Sequence, residues 1–265
     1  MTVEVTDLSA FVLANAPARG VPLESERLTI TLDGADETLG GARRELEARE
    51  LDEDPLTRLR LFESEPGLVT IDYAAVVFGR AAPVPVRPTD PIVYLRPSRY
   101  VQSDVLTPFA RDTFVQRDAA RLVREVSEWV HEQLVYTAEA TSPTGGAVET
   151  LAARAGVCRD FAHLTAALLR ALDVPARLVS VAAPQLDPMD FHAVVEAVVD
   201  GRWLVVDSTR MAPRAAMVRI ATGRDASDTA WLTTSLSDVT LLTLFVDARA
   251  DALFIDDPDE LVELS

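Results

Sequence analysis

The sequence predicts an α+β chain, with a β-rich N-terminal domain over residues 1–90 and a second domain mixing helices and strands over residues 91–265. Three observations carry this reading. Apolar and polar residues alternate with period two in the first part. Five prolines at positions 83, 85, 88, 91 and 97 then crowd one short stretch. Beyond them helical periodicity sets in, followed by strands around an Asp-Gly turn.

Residues 27–32 (Arg-Leu-Thr-Ile-Thr-Leu) read as a strand, with Asp33-Gly34 as its turn. Residues 42–51 are charged and fit either a short helix or an exposed strand. Residues 57–62 and 68–78 read as strands separated by Glu65-Pro66-Gly67. Proline fixes φ and removes an N–H donor, so residues 81–97 form an extended connection and mark the domain boundary. Residues 116–136 place Leu122, Val123, Val126, Trp129, Val130 and Leu134 at helical spacing. Residues 142–146 form a loop and 148–154 a short helix. Residues 158–172 repeat Phe161, Leu164, Leu168 and Leu172 on one helical face, and Asp173-Val174-Pro175 stops that helix. Residues 176–183 read as a strand and 184–190 as a loop. The strands 192–199 and 202–207 flank Asp200-Gly201, the strongest short hairpin signal in the chain.

The composition restricts the classes of partner. The formal net charge is −17 and every basic residue other than three His is Arg. A surface this acidic repels phosphate backbones, so nucleic acid is not an expected partner. No apolar run is long enough to cross a bilayer, and the first residues lack the basic region of a signal peptide, so no membrane association and a cytoplasmic location are expected. One cysteine cannot form an internal disulfide, which fits a reducing compartment. No phosphate-binding or calcium-binding loop is present, and no cofactor or metal is expected.

Cys158 lies at the predicted start of a helix, where unpaired N–H groups and the positive end of the macrodipole converge. Such a place favours a thiolate and supplies donors to a developing oxyanion. A buried core cysteine is the commoner role, and position alone leaves both open. The hairpin adds geometry. If Asp200-Gly201 is a two-residue turn, Val199 faces Arg202 and Val194 faces Asp207, while His192 faces Thr209. His192 and Asp207 then share one face as diagonal neighbours about 7–8 Å apart, close enough for their side chains to meet. A carboxylate fixes the tautomer and orientation of a histidine that serves a nucleophile. A simple polar contact explains the pair equally well.

Three segments resemble the bacterial transglutaminase-like superfamily: Ala155-Gly156-Val157-Cys158-Arg159-Asp160-Phe161-Ala162-His163-Leu164, then Asp190-Phe191-His192-Ala193, then Trp203-Leu204-Val205-Val206-Asp207-Ser208-Thr209-Arg210. Residues 94–100 with Ser103-Asp104, and residues 222–228, are also similar to it. The resemblance spans residues 92–246. It implies a papain-like, transglutaminase-type core with a Cys-bearing helix packed on an antiparallel sheet. It also implies Cys158 as nucleophile, His192 as general base and then acid, and Asp207 as orienting carboxylate. The expected activity is acyl transfer through a thioester, hydrolysing a peptide or amide bond of a peptide or protein substrate. An amine-accepting cross-linking enzyme, or a non-catalytic interaction protein retaining the fold, are the alternatives. The family more often has Asp-Pro-Thr where this chain has Asp207-Ser208-Thr209.

The remaining polar residues are expected to be structural. His163 lies roughly 140° around the helix from Cys158 and is expected to pack or hydrogen-bond in the core. His131 reads as a solvated helix residue and residues 256–260 as solvated acidic surface; Arg159 and Asp160 could bind substrate but read as helix-capping, structural groups, and Trp203 could shield the site from water but reads as core. A metal site built from Cys158, His192 and Asp207 is possible by ligand type but lacks the paired spacing of such sites.

Overall fold

The computed structural model describes residues 1–34, 43–52, 54–116, 118–258 and 260–264. Two compact units emerge, residues 1–81 with 230–247, and residues 82–229 with 248–265. The first part supplies strands β1 (Thr2–Val5), β2 (Ser9–Leu13), β3 (Leu23–Gly34), β4 (Arg43–Glu45), β5 (Arg49–Leu51), β6 (Leu59–Ser64) and β7 (Gly67–Val77). Helices α1 (Asp90–Tyr94), α2 (Ser103–Thr113) and α3 (Ala119–Gln133) follow. Then come β8 (Val135–Tyr136), α4 (Ala147–Ala153), β9 (Ala155–Gly156) and α5 (Cys158–Ala171). The chain continues with β10 (Ala176–Ala182), β11 (His192–Val199), β12 (Arg202–Val206), β13 (Val218–Gly223) and α6 (Ala226–Thr229), and then β14 (Leu232–Ser235) and β15 (Val239–Thr243).

In the first unit, a five-stranded sheet of order β15-β1-β7-β3-β4 and a four-stranded sheet of order β14-β2-β6-β5 share one core. Period-two alternation supplies it: Val3, Val5, Ile30, Leu32, Val69 and Ile71 come from one sheet, and Phe11, Leu13 and Phe62 from the other. The Phe11 and Phe62 rings stack with centroids 4.6 Å apart. Asp33-Gly34 was expected as a turn but ends the long strand β3, because its pairing partner β7 runs on to Gly67. Gly67 has φ +147, and a Cβ there would come within 2.5 Å of the Asp33 carbonyl oxygen, so only glycine fits this crossing. Of the charged stretch 42–51, residue 42 lies outside the described residues; the rest takes the strand alternative as β4 and β5, in different sheets. Where the sequence divides the chain once at residue 90, β14 and β15 group with the first unit by pairing with β2 and β1. Periodicity names an element's type and says nothing of its distant partner.

The second unit packs α5 against an antiparallel sheet of order β12-β11-β10-β13. The sequence suggests one apolar face for α5, yet every residue from Asp160 to Ala171 is buried. Leu122, Val126 and Val130 of α3, Leu106 and Ala110 of α2, and Val195, Ala197, Leu204 and Val206 of the sheet enclose it. Its polar residues are covered because each has a partner. Arg170, for example, donates to the carbonyls of Ala176, Arg96 and Arg224. The opposite face of the sheet buries Val179, Val181, Val194 and Val205. There Glu196 pairs with Arg177 at 2.6 Å and with Arg219. Trp203 belongs to this face as core, its ring 4.0 Å from the Arg177 guanidinium and edge-on to Tyr94.

The β11–β12 hairpin has the expected register, Val199 opposite Arg202 and Val195 opposite Val206. Asp200 and Gly201 have φ +50 and +76, the two positive values a type I′ turn requires. α3 stops at Gln133 because Leu134 turns extended, which sends Tyr136 into β8 instead of the helix. β8 pairs in parallel with β9, directly before Cys158.

Candidate active site

Cys158 is the first residue of α5, after Val157 in extended conformation. Asp160 holds this end: its carboxylate accepts the Val157 N–H at 2.9 Å, satisfying one of the donors a helix start leaves open. Gly156 makes room for it, since a Cβ there would lie 2.5 Å from Asp160 Cβ. Arg159 is structural too, donating to Thr141 Oγ1 at 2.9 Å and to the Ser142 carbonyl at 2.7 Å. These contacts fix where the thiol points. Cys158 Sγ lies 4.0 Å from the Phe191 carbonyl oxygen, beside the residue that precedes His192.

His192 begins β11 and Asp207 follows β12. His192 Nε2–H donates to Asp207 Oδ2 at 2.8 Å, and both side chains are buried. The second carboxylate oxygen accepts from the Thr209 hydroxyl at 2.7 Å and the Thr209 N–H at 2.9 Å. With Nε2 engaged, His192 Nδ1 is the nitrogen left over. It is buried without a hydrogen-bonding partner; besides Asp207, Thr209 Oγ1 lies 3.5 Å from Nε2 and Cys158 also acts on the ring. Burial alone would lower the His192 pKa, but the Asp207 charge and hydrogen bond, with Cys158, push it up to about 10. Burial would raise the Asp207 pKa, and His192 and Thr209 reverse that and hold it low. The pair is thus imidazolium and carboxylate at neutral pH. Beside such a ring the Cys158 sulfur can attack an electrophilic carbon while the Nδ1–H gives its proton to the departing group.

The structure brings all three expected site residues, Cys158, His192 and Asp207, into one cluster. It adds groups to which the sequence reading gave no part in the site. Ser208, where the family more often has Pro, exchanges a hydrogen bond with Thr165 of α5 at 2.8 Å and donates to Ser127 of α3 at 3.3 Å. His131 is half-buried, not solvated, with Nδ1 3.1 Å from the Ser208 carbonyl oxygen, to which it donates. The segment after β12 is therefore tied to two helices. Parity places Thr209 opposite His192, which is the one sequence signal for its role.

His163 is buried on the far side of α5, its ring 5.3 Å from that of Tyr100. Its Nε2 accepts the Ala226 N–H at 3.2 Å, and Asp225 accepts the N–H groups of Tyr100 and Ser227. Burial lowers the His163 pKa to about 3, so it is neutral. The two outer motifs, around residues 100 and 225, thus meet behind the Cys-bearing helix and brace it. Asp256 was expected as solvated surface but pairs with buried Arg214 at 2.9 Å. Among the described residues no group of three or more His, Cys, Asp or Glu is placed to hold a metal, and no helix is long and apolar enough to cross a membrane.

A Cys-bearing helix on an antiparallel sheet whose adjacent strands carry His and Asp defines a transglutaminase-like core. Residues 109–208 match the model of the transglutaminase-like superfamily. A crystal structure of a candidate cysteine protease from Cytophaga hutchinsonii is similar with a TM-score of 0.83 and 29% identity, over 97% of this chain and 90% of that one. An uncharacterized protein of Mycobacterium leprae is 28% identical over 118 residues, 42% of this chain and 42% of its own length. One of Mycobacterium tuberculosis is 33% identical over 79 residues, 29% of this chain and 25% of its own length. The matched part of the chain thus spans less than half the length of these curated relatives.

Proposed function

We propose that the protein is a cysteine-dependent acyl-transfer enzyme that hydrolyses a peptide or amide bond in a peptide or protein substrate. The observation that carries this reading is the buried His192 ring, with Nε2 bonded to Asp207 at 2.8 Å and Nδ1 free of any hydrogen-bonding partner. A ring kept only for packing gains nothing from a buried, unpartnered nitrogen beside a thiol. The description of the Cytophaga protein as a candidate cysteine protease supports the choice of hydrolysis.

The chemistry runs in two halves. The Cys158 thiolate attacks the carbonyl carbon, a C–S bond forms, and the carbonyl π electrons move to oxygen. Collapse of this adduct breaks the C–N bond as His192 Nδ1–H protonates the departing amine, leaving a thioester. Water then gives a proton to His192 Nδ1 and attacks the thioester, releasing the acid and the thiolate. Asp207 stays ionised throughout and holds the imidazolium. A lone thiol stays free in a reducing compartment, and we assign the protein to the cytoplasm.

The test is a mass measurement on the protein mixed with p-nitrophenyl acetate. An acetyl adduct on Cys158 that decays in water, and is absent from Cys158→Ala, is the expected result. An adduct that persists in Cys158→Ala contradicts the assignment. Turnover of peptide amides, with and without an added primary amine, separates the acceptors: product carrying the amine in place of the free acid contradicts hydrolysis.

A further inference from the structure

We propose that the protein is a twofold dimer, in which strand β15 of one copy pairs antiparallel with β15 of a second copy and joins their two five-stranded sheets into one. The inference rests on the first unit and is independent of the chemistry at Cys158.

The two sides of the first unit are built differently. An edge strand turns its outward N–H and C=O groups to solvent, where another chain can pair with them, and charge is the usual guard against that. Residues 46–48 join β4 to β5 and residues 236–238 join β14 to β15, so each of these pairs of edges shares a side. On one side the edges read Arg43-Arg44-Glu45 and Arg49-Glu50-Leu51, and charge guards both. On the other they read Leu232-Thr233-Thr234-Ser235 and Val239-Thr240-Leu241-Leu242-Thr243, and neither carries a charge. Among the described residues β15 pairs with β1 and β14 with β2, each along one side only. Asp238 is the one ionisable residue between positions 230 and 246, in a chain whose residues are 25% charged, so lack of charge singles out this side.

What this edge exposes defines its partner. Leu241, Leu242 and Leu244 are exposed along it, and Phe245 just beyond β15 is 82% exposed. Leu8 and Leu236 extend the strip at the β14–β15 turn, where the Ser237 hydroxyl bonds with the Ser9 hydroxyl and the Asp7 carbonyl. Apolar surface of this extent, several hundred Å², marks an interface, and it approaches the roughly 800 Å² per copy that a standard interface buries. The partner must therefore offer an apolar, uncharged strip and a free strand edge. β15 itself meets each requirement. A twofold axis through its middle sets the two strands antiparallel, so N–H meets C=O and Leu241 and Leu242 lie against their own copies. Charge restricts where two copies can meet. Each carries a net charge of −17, and surfaces of like sign repel unless they touch where charge is missing.

Sedimentation velocity on the whole protein, from about 1 to about 100 μM, reads the association. Reducing buffer keeps a Cys158 disulfide from contributing. The wild type is expected to move from monomer to dimer across this range, and added salt, which screens the repulsion between copies, to tighten the dimer severalfold. Leu242→Lys sets two like charges beside the twofold axis and is expected to weaken association about 100-fold or more, with an unchanged circular dichroism spectrum. Arg44→Ala on the opposite, charged edge is expected to leave it unchanged. Amide hydrogen exchange in β15 of the wild type should slow as concentration rises, a reading that needs no variant. A wild type that stays monomeric at about 100 μM overturns the proposal. So does a dimer that survives Leu242→Lys, a dimer that salt dissociates, or β15 exchange that ignores concentration. A monomeric wild type whose KM for a peptide rises in Leu242→Lys also overturns it, and assigns the edge to substrate.

Discussion

Asp207 determines what His192 can be. Buried without a counter-charge, the ring would lose its proton below its ordinary range; beside Asp207 it keeps it up to about pH 10. If the departing amine takes its proton from this ring, as proposed, acyl transfer from an amide falls as pH rises through about 10. Asp207→Asn removes the charge and keeps a hydrogen-bond acceptor, so that alkaline limb should move down by at least one pH unit. A kcat/KM profile of both proteins checks this, and an unmoved limb contradicts the ion pair. Thr209→Val withdraws the hydroxyl donor at 2.7 Å from a buried carboxylate. It should cost about 1–3 kcal/mol in denaturant unfolding. At this scale the sequence was legible where geometry was forced. The Asp200-Gly201 turn fixes the register, and the register puts Asp207 and Thr209 on the His192 face. The ties made by Ser208 and His131 were not legible, because periodicity gives a residue its face but not its reach across elements.

The helix start is the element on which the site depends. Asp160 caps it at Val157, and Gly156 alone leaves space for that carboxylate. Gly156→Ala should displace Asp160, release the cap and tilt the thiol away from His192. Stability should fall by about 1–2 kcal/mol and Cys158 alkylation by more than tenfold. Unfolding curves and alkylation rates measured on one preparation check both, and a normal alkylation rate would show that the cap does not position the thiol. α3, α4, α5 and the hairpin could be read from periodicity and turn chemistry. α2 could not, because Pro108 interrupts its pattern and its buried face is only Ser103, Leu106 and Ala110. β14 and β15 are short strands whose partners β2 and β1 lie more than two hundred residues away in the chain, so their place in the first unit is a tertiary fact.

For the whole molecule, the buried histidines set opposing slopes of stability with pH. His192 is raised above its unfolded value, so its contribution is complete below about pH 6.5 and is lost as pH rises through about 10. His163 is lowered to about 3, so the unfolded chain takes up a proton below pH 6.5 that the native ring refuses, and stability falls on acidification toward 3. The depressed carboxylates Asp207, Asp225 and Asp228 steepen the acid loss below about pH 4. Thermal unfolding should therefore peak near pH 6–7, with each histidine accounting for up to about 1.4 kcal/mol per pH unit in its own window. In His163→Leu the acid-side slope should flatten. All of this architecture converges on one thiol held beside one imidazole, and the rate of Cys158 alkylation by iodoacetamide at neutral pH reads that arrangement most directly. Rapid single-site alkylation is expected in the wild type and a rate about tenfold or more lower in His192→Ala, where the ring beside the thiol is gone; a native thiol that is inert, or one whose rate ignores His192, would contradict this reading.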